Sequence, residues 1–267
     1  MFDESVVRAV YWAIYGVAVL NLLWLGFNLK SVARQASLQR SFDVALLVGL
    51  LTIFVLRSML ADYFALTNMF ESVLAVNLGM LLCRLVLDAH FKVPIFHLGV
   101  MAFVVCGFVF SGILPQDIAA LPPALMSYWR AIHVPVILLS YALMFFASLG
   151  GGLLLLVKDD TLKKEVLHLT DKAVTLAVPV LAVGTALGAV WANEAWGTYW
   201  NWDPKENMAV ASLFVYGAYL HLRLNTQVKP EKLAWLLIVG FAVLMLTYIG
   251  INILGVGLHS YGNFMMK

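Results

Sequence analysis

The chain has 267 residues, of which 63% are hydrophobic and 12% are charged, and its mean hydropathy is +0.90. A soluble globular domain carries about 25% charged residues and roughly 45–50% apolar residues. The composition therefore predicts a polytopic membrane protein. The formal net charge of +2 is too small to indicate nucleic-acid binding.

Eight stretches of the chain are apolar enough to cross a membrane, for which a helix needs about 20 residues. The first stretch follows an acidic N-terminus, MFDESVVR, without a cleavage site of small residues, so we expect a retained helix and not a signal peptide. We expect Cys83 and Cys106 to be small buried hydrophobic residues, because they have no CxxC spacing. Residues 1–267 are predicted to form one all-α membrane domain. The predicted spans are 9–29, 42–60, 71–88, 94–113, 132–157, 172–192, 206–224 and 232–254.

The distribution of basic residues predicts the orientation of these spans. With the N-terminus outside, twelve of the 17 Lys and Arg residues fall on the inner side and five on the outer side. Basic residues are enriched in cytoplasmic loops. Both termini are therefore expected on the outer side, which is the periplasmic side in a bacterial cell.

The connection between the sixth and seventh spans, WANEAWGTYWNWDPKENMA at 191–209, holds four of the eight tryptophans within twelve residues. Aromatic residues anchor helices at the membrane interface, but one or two would be enough. We predict an external Trp-rich loop over 191–206 that serves as a binding surface. Asp203 is expected to cap the next helix, with Pro204 and Glu206 following in its first turn. The free N–H groups of such a helix start face the loop and could bind an anion.

The predicted topology separates the six histidines. His90, His97 and His168 fall at inner loops, where a solvated or structural role is expected. His133 begins the fifth span and His259 ends the eighth, both on the outer side with the Trp-rich loop. Neutral imidazole is a common ligand of haem iron, so the residues alone leave haem binding, an ordinary interfacial role and another metal as alternatives.

His221 is a separate case, because it lies near the inner end of the seventh span. It follows Glu206 by 15 residues, which corresponds to roughly 22 Å along a helix. It cannot share one porphyrin with His133 and His259. It either belongs to a second, deeper site or is an ordinary interfacial residue.

The segment WANEAWGTYWNWDPKE resembles the "WWD" signature of haem-handling proteins, and in this longer form it resembles the CcsA/ResC family of system II cytochrome c biogenesis. Four further segments are similar to that family in the same order: LTNMFESVL (66–74), HVPVILLSYA (133–142), YLHLRL (219–224) and LGVGLHSYG (254–262). The resemblance extends from about residue 66 to residue 267.

The resemblance implies a membrane subunit of the cytochrome c synthase, which exports haem and presents it for thioether attachment to the CxxCH motif of apocytochrome c. His133 and His259 would be axial ligands of haem b on the outer side. His221 would be a ligand at an inner haem site whose opposite ligand comes from a CcsB/ResB-type partner. The remaining residues expected to contact haem are Trp196, Trp200, Trp202 and Asp203.

The resemblance also implies partners and a location. We expect a CcsB/ResB-type protein, apocytochrome c and thiol-reducing proteins as partners, membrane lipid as the surroundings, and a bacterial inner membrane in preference to a thylakoid. No residue is an obvious general acid or base, so the chain is expected to act mainly by positioning. Arg130 and Lys205 could pair with haem propionates or lie at the interface. Asn68, Glu71 and Ser72 are expected to line the outer face between the second and third spans.

Three alternatives remain from the sequence. The chain could be a CcmC-like haem chaperone or a HemX-like membrane regulator, which share a tryptophan loop. It could be a transporter for another solute, although the sequence shows no clear inverted repeat. It could also be a structural membrane subunit in which the tryptophans are interfacial anchors.

Overall fold

The computed structural model describes residues 3–88, 92–224 and 228–258, and every regular element in these ranges is helical. The all-α prediction is therefore confirmed. A 3-10 helix (Leu29–Gln35) joins the first two helices, a 3-10 turn (Pro123–Leu125) precedes the fifth, and a π-helical turn (Leu246–Gly250) follows the eighth. The helices are α1 (Glu4–Asn28), α2 (Ala36–Ala61), α3 (Met69–Leu87), α4 (Pro94–Gly112), α5 (Tyr128–Leu156), α6 (Asp160–Trp196), α7 (Pro204–Arg223), α8 (Pro230–Met245) and the single turn α9 (Ile251–Leu254).

Each predicted span overlaps one of the helices α1 to α8. Within the described residues, six helical stretches are long and apolar enough to cross a membrane: α3, α4, α5, α6, the continuous stretch Glu4–Ala61 and the stretch Pro230–Leu254. Helix α7 is not among them, and its polar residues lie mainly at its two ends, at 205–207 and at 221–223. The chain is thus a multi-pass membrane protein. The number of spans and the sides of the termini stay predictions.

Side-chain caps begin five of the long helices, where a polar side chain accepts from a free N–H of the first turn. At α3, for example, Asn68 accepts a hydrogen bond from the Glu71 N–H at 2.9 Å. Helix α6 has 37 residues and is therefore about 55 Å long, against a hydrocarbon core of about 30 Å. Its first, polar turns lie before the predicted span. The capping residues are Asp3, Asn68, Ser127, Asp159 and Asp203.

Contacts divide the chain into two compact units, residues 1–121 and residues 122–267. In unit 1, α1 to α4 pack around an apolar core in which Tyr11 bridges two helices. Its hydroxyl donates to the Phe108 carbonyl at 2.5 Å and lies 3.0 Å from the Ser111 hydroxyl. Cys83 is buried as predicted, but Cys106 is exposed on the surface of α4, so that part of the prediction is wrong.

Charged side chains are buried inside unit 1 and form pairs between neighbouring helices. Arg84 on α3 lies 3.0 Å from the Asp43 carboxylate on α2, and both side chains are fully buried. Arg84 also donates to the Gln39 side-chain oxygen at 2.6 Å. At the end of α3, His97 Nε2 lies 2.9 Å from Asp88 Oδ2. His97 is thus structural within the described residues, as predicted.

The segment LTNMFESVL also joins helices in unit 1. The buried Glu71 accepts a hydrogen bond from Arg57 Nε at 2.8 Å and one from the Thr67 N–H at 2.7 Å. Arg57 Nη1 donates to the Gln116 carbonyl at 2.9 Å. Ser72 is also buried, and its hydroxyl donates inside α3 to Met69. Glu71 and Ser72 therefore do not line an outer face as predicted, because both are used inside the fold.

In unit 2, α5 packs closely on α6 and α8, and small residues allow the close approach. A Cβ on Gly151 of α5 would lie 3.2 Å from the Ala234 carbonyl of α8. The buried Ser148 hydroxyl links α5 to α7 through the Tyr216 hydroxyl at 2.8 Å. Beyond Met245 the chain makes the π-helical turn and then α9, which leads to the segment Gly255–Leu258.

Candidate functional site

The Trp-rich segment connects α6 to α7 at one end of unit 2. Helix α6 continues through Trp196 and ends at Gly197, whose φ of +78° is the left-handed conformation that favours glycine. Residues 197–203 have no regular structure, so the irregular part of the predicted loop is shorter than 191–206. Trp191 belongs to α6, in agreement with the predicted span 172–192.

Two tryptophans of this connection form an aromatic pair. The rings of Trp200 and Trp202 lie 6.0 Å apart and nearly perpendicular, while Trp202 is 76% exposed. Trp202 also has φ +58°, an uncommon conformation for a bulky residue. The Asn207 side chain donates to the Trp202 carbonyl at 2.9 Å and holds it there. An exposed aromatic side chain in a held, unfavourable conformation is typical of a binding surface.

Asp203 begins α7 with the capping box that the sequence predicts. Its Oδ1 accepts from the Lys205 N–H at 2.9 Å, and Glu206 Oε2 accepts from the Asp203 N–H at 3.1 Å. The same Glu206 oxygen accepts from the Asn201 N–H at 2.9 Å. Glu206 therefore also fixes the end of the Trp-rich connection.

The second oxygen of Asp203 binds a distant segment of the chain. Oδ2 accepts from the Leu258 N–H at 2.5 Å, and Asp203 is 5% exposed. Gly257, at φ +87°, lies against this carboxylate so closely that a Cβ would overlap Oδ2. His259 follows Leu258 directly in the sequence but lies outside the described residues.

Lys205 forms a second connection to the same end of the chain. Its Nζ donates to Asn252 Oδ1 at 2.7 Å, and the Asn252 amide donates to the Tyr248 carbonyl at 2.7 Å in the π-helical turn. Burial lowers the pKa of Lys205 to about 8, although the Asp203 carboxylate nearby acts in the opposite direction. Lys205 is thus a half-buried cation beside the start of α7. The sequence predicts that an anion could bind at this helix start.

His133 lies on α5 in a socket that α6 provides. Its Nδ1 is 2.8 Å from the Gly184 carbonyl, and since a carbonyl only accepts, Nδ1 carries the proton and Nε2 the lone pair. A Cβ on Gly188 would lie 2.7 Å from the ring. The ring stacks on the buried Trp191 with a centroid distance of 5.8 Å. Trp191 in turn lies 5.1 Å from Trp196.

The segment before α5 is fixed to the same end of α6. Trp191 Nε1 donates to the Ala124 carbonyl at 3.0 Å, and the Ser127 hydroxyl donates to Glu194 at 2.9 Å. Arg130 is buried, and its Nε donates to the Leu125 carbonyl at 2.6 Å. Arg130 thus holds this segment in place.

His221 lies at the other end of α7, on an exposed surface. Tyr219 lies two residues before His221 and donates to Asp171 at 2.8 Å. Arg223 lies two residues after it and donates to the same carboxylate at 2.9 Å. These two contacts turn one face of α7 toward α6. Because successive helix residues are about 100° apart, His221 faces away from α6.

The structure brings several predicted residues together and leaves others unconnected. Trp200, Trp202 and Asp203 share the connection before α7, while Trp196 reaches His133 through Trp191. His221 takes part in none of these contacts. No group of three or more His, Cys, Asp or Glu side chains that could hold a metal ion occurs in the part of the chain that the structure describes.

Sequence reasoning missed the glycines on which the site depends. Gly184 and Gly188 have the small-xxx-small spacing that lets membrane helices approach closely, so the GTALG segment could have revealed the socket. Gly257 gave no such signal, because its role depends on a contact with a residue more than fifty positions earlier.

Comparisons with known proteins identify the family of this chain. The family model described as "Cytochrome C assembly protein" matches residues 66–259. A Guillardia theta protein described as "Cytochrome c biogenesis protein CcsA" is 33% identical over 90% of both chains. A Parasynechococcus marenigrum protein of the same description is 34% identical over 94% of this chain and 95% of its own. A Prochlorococcus marinus relative is 29% identical over 98% and 97%, respectively. The chain therefore belongs to the CcsA family of cytochrome c assembly proteins, and its role lies in cytochrome c biogenesis.

Proposed function

We propose that this chain binds haem b at the Trp-rich end of unit 2 and presents it for attachment to apocytochrome c. The observation that carries the proposal is the hydrogen bond from His133 Nδ1 to the Gly184 carbonyl. Metal-binding histidines usually donate their other ring nitrogen to such an acceptor, which fixes the tautomer and the ring direction. Nε2 of His133 is thus prepared as an axial ligand, and His259 is proposed as the opposite one.

The aromatic residues supply the surface that a porphyrin needs. Trp200 and Trp202 stand at right angles to each other, so they can contact a flat ligand with one ring face and one ring edge. Trp196 extends the aromatic series that begins at His133. Lys205 is proposed to attract a propionate, since it is a half-buried cation on that side of α7.

The chemistry of attachment belongs to the haem and to the incoming peptide. Each cysteine thiol of CxxCH adds across one vinyl group, which forms a C–S bond and transfers the thiol proton to the other vinyl carbon. The addition needs no external oxidant. The contribution of this chain is to hold the ring so that both thiols reach it, because positioning alone can lower such a barrier by several kcal/mol.

We propose a second haem contact at His221, shared with a CcsB/ResB-type partner. His221 is exposed and faces away from α6, the helix that holds the neighbouring Tyr219 and Arg223. Its opposite ligand would come from another chain. Haem would enter there and move outward to the His133 site, in a bacterial inner membrane with both termini on the outer side.

Replacement of both proposed outer ligands tests the function. The double variant His133→Gly/His259→Gly should lose cytochrome c maturation when the partner is present, and added imidazole should restore part of it. His168→Gly, which removes an exposed histidine of α6, is the control and should mature cytochrome c normally. Unchanged maturation in the double variant would show that the outer assignment is wrong.

The purified wild-type protein separates the proposal from its alternatives. It should be red with a low-spin, bis-histidine spectrum, and His221→Ala should reduce the haem content even with both outer histidines intact. A colourless preparation from haem-replete cells would favour a transporter or a structural subunit. A red protein that loads haem but supports no attachment with the partner would favour the chaperone or regulator alternatives.

A further inference from the structure

The carboxylate of Asp203 connects two segments that are far apart in the sequence. Oδ1 accepts from the Lys205 N–H inside the first turn of α7, and Oδ2 accepts from the Leu258 N–H at 2.5 Å. A helix cap needs only one acceptor, so the second bond is not required to begin α7. A carboxylate-to-amide bond of this kind is charge-assisted and stronger than a neutral one.

Gly257 is shaped to admit this carboxylate. Its φ of +87° is a conformation that residues with a side chain rarely adopt, and a Cβ there would overlap Asp203 Oδ2 and lie 3.0 Å from Pro204. Gly255 also has a positive φ, +62°, but a Cβ on it would meet no atom within 4 Å. The two glycines thus separate two requirements: both need the left-handed backbone, and only Gly257 needs empty space beside Asp203.

A second contact holds the same region. Asn252 in α9 accepts from Lys205 Nζ at 2.7 Å, so two consecutive turns of unit 2 bind α7 through residues 203 and 205. Neither contact uses an exposed aromatic ring. Asp203 is also 5% exposed, which leaves little of its surface for a ligand.

From these contacts we infer that Asp203 is a positioning residue for the histidine at position 259, acting through the Leu258 N–H, and not a haem-contacting residue. This inference rests on the proposed function, in which His259 is an axial ligand. Asp203 would fix the backbone directly before His259 to the end of the Trp-rich connection. The two proposed ligands then have separate supports, a carbonyl of α6 for His133 and a carboxylate of α7 for the segment before His259.

Asp203→Ser tests the inference, because serine caps a helix as well as aspartate but has one oxygen in place of two. Hydrogen exchange of the ligand-free protein should show the peptide containing Gly255–Leu258 exchanging about tenfold faster or more, since a hydrogen bond to a charged group is lost. The first turn of α7 should exchange at its wild-type rate. Equal exchange of the Gly255–Leu258 peptide in both proteins would overturn the inference.

The haem-loaded protein gives a second, spectroscopic readout. Asp203→Ser should retain haem on His133 while its spectrum shifts from low spin to high spin, and imidazole should restore the low-spin spectrum. Loss of haem that imidazole does not restore would show that Asp203 contacts haem directly, and would overturn the positioning role. A colourless wild-type protein would overturn the proposed function instead. The exchange experiment needs no haem, so it tests the bond between Asp203 and the Leu258 N–H separately.

The glycine pair gives an independent test if Asp203→Ser fails to fold. Asparagine tolerates the left-handed conformation better than most residues, so Gly257→Asn and Gly255→Asn carry a similar backbone cost. Only Gly257→Asn should speed hydrogen exchange of the peptide 255–258 and weaken the low-spin signal of the haem-loaded protein. If both variants behave alike, backbone strain explains the effect and the Asp203 contact does not.

Discussion

The two units use their buried polar side chains for different tasks. In unit 1 charged side chains pair across helices, as the fully buried Arg84 and Asp43 do, while the Tyr11 hydroxyl donates to the backbone of α4. In unit 2 two bonds near the Trp-rich connection go to the backbone, since His133 binds the Gly184 carbonyl and Asp203 binds the Leu258 N–H, while Lys205 binds the Asn252 side chain. The ion pair Arg223–Asp171 of unit 2 is partly exposed.

This difference supports the proposal that unit 2 carries the ligand site. A side-chain pair joins two helices but leaves some freedom, since both partners have rotatable bonds. A bond to a backbone group fixes one point of the chain, so it controls the position of a neighbouring residue more closely. The backbone contacts of unit 2 lie at the proposed ligand surface, whereas the ion pairs of unit 1 join its helices.

The largest effect is expected when a buried pair of unit 1 is broken. Arg84→Met should lower the free energy of unfolding by about 3–5 kcal/mol, because it leaves the Asp43 carboxylate buried without its cation. Thermal or denaturant unfolding in detergent measures the change. The double variant Arg84→Met/Asp43→Leu should recover much of the loss, as an apolar pair needs no counter-charge.

Asp171→Asn in unit 2 is the matched control for this prediction. Its partner Arg223 is 37% exposed, so the change should cost about 1 kcal/mol or less. Equal losses for Arg84→Met and Asp171→Asn would contradict the contrast between the two units.

An intermediate effect is expected at the socket of His133. Gly188→Ala places a Cβ 2.7 Å from the imidazole ring, which should displace it and break the bond to the Gly184 carbonyl. Loss of such a supporting bond typically weakens metal binding about 10–100-fold, and a haem titration followed by absorbance measures this. Gly152→Ala, at a site of α5 where a Cβ meets nothing within 4 Å, should bind haem normally.

If Gly188→Ala also binds haem with wild-type affinity, the orientation of His133 by α6 is not what prepares it as a ligand. A loss of unfolding free energy without a loss of haem affinity would lead to the same conclusion. The His133 socket would then be part of helix packing only.

A further effect is a pH dependence of stability from Lys205. Its pKa is about 8 in the folded protein against about 10.4 in an unfolded chain, so the unfolded state binds more protons between these values. Stability from this group should therefore rise as the pH rises from about 8 to about 10. In Lys205→Met the unfolding midpoint should not rise between these pH values. If it does rise in the variant, another group causes the pH dependence.

The sequence predicted helices well and their ends less well. The spans 94–113 and 206–224 agree closely with α4 and α7, because proline at the first position of each helix is a strong start signal. The span 172–192 covers only part of α6, since hydropathy detects the apolar section of a helix and not its polar turns outside. The capping box at Asp203 was predictable for the same local reason and is confirmed.

The site itself was only partly predictable. Side-chain chemistry marked His133 and the tryptophans as candidates, but their supports are backbone groups, which the sequence does not distinguish. The Leu258 N–H looks like any other amide until the fold places it beside Asp203. Trp191 is not among the predicted haem contacts, although its ring stacks on His133.

The π-helical turn Leu246–Gly250 sets the rotational phase of the end of the chain. Such a turn usually contains one residue more than the α-helical path needs, and one residue corresponds to about 100° around the helix axis. The surplus residue therefore decides which side of α9 carries Asn252, and so whether Asn252 meets Lys205. Deleting one residue from this turn would rotate the segment Gly255–Leu258 toward a different neighbour. No side chain of the site would change.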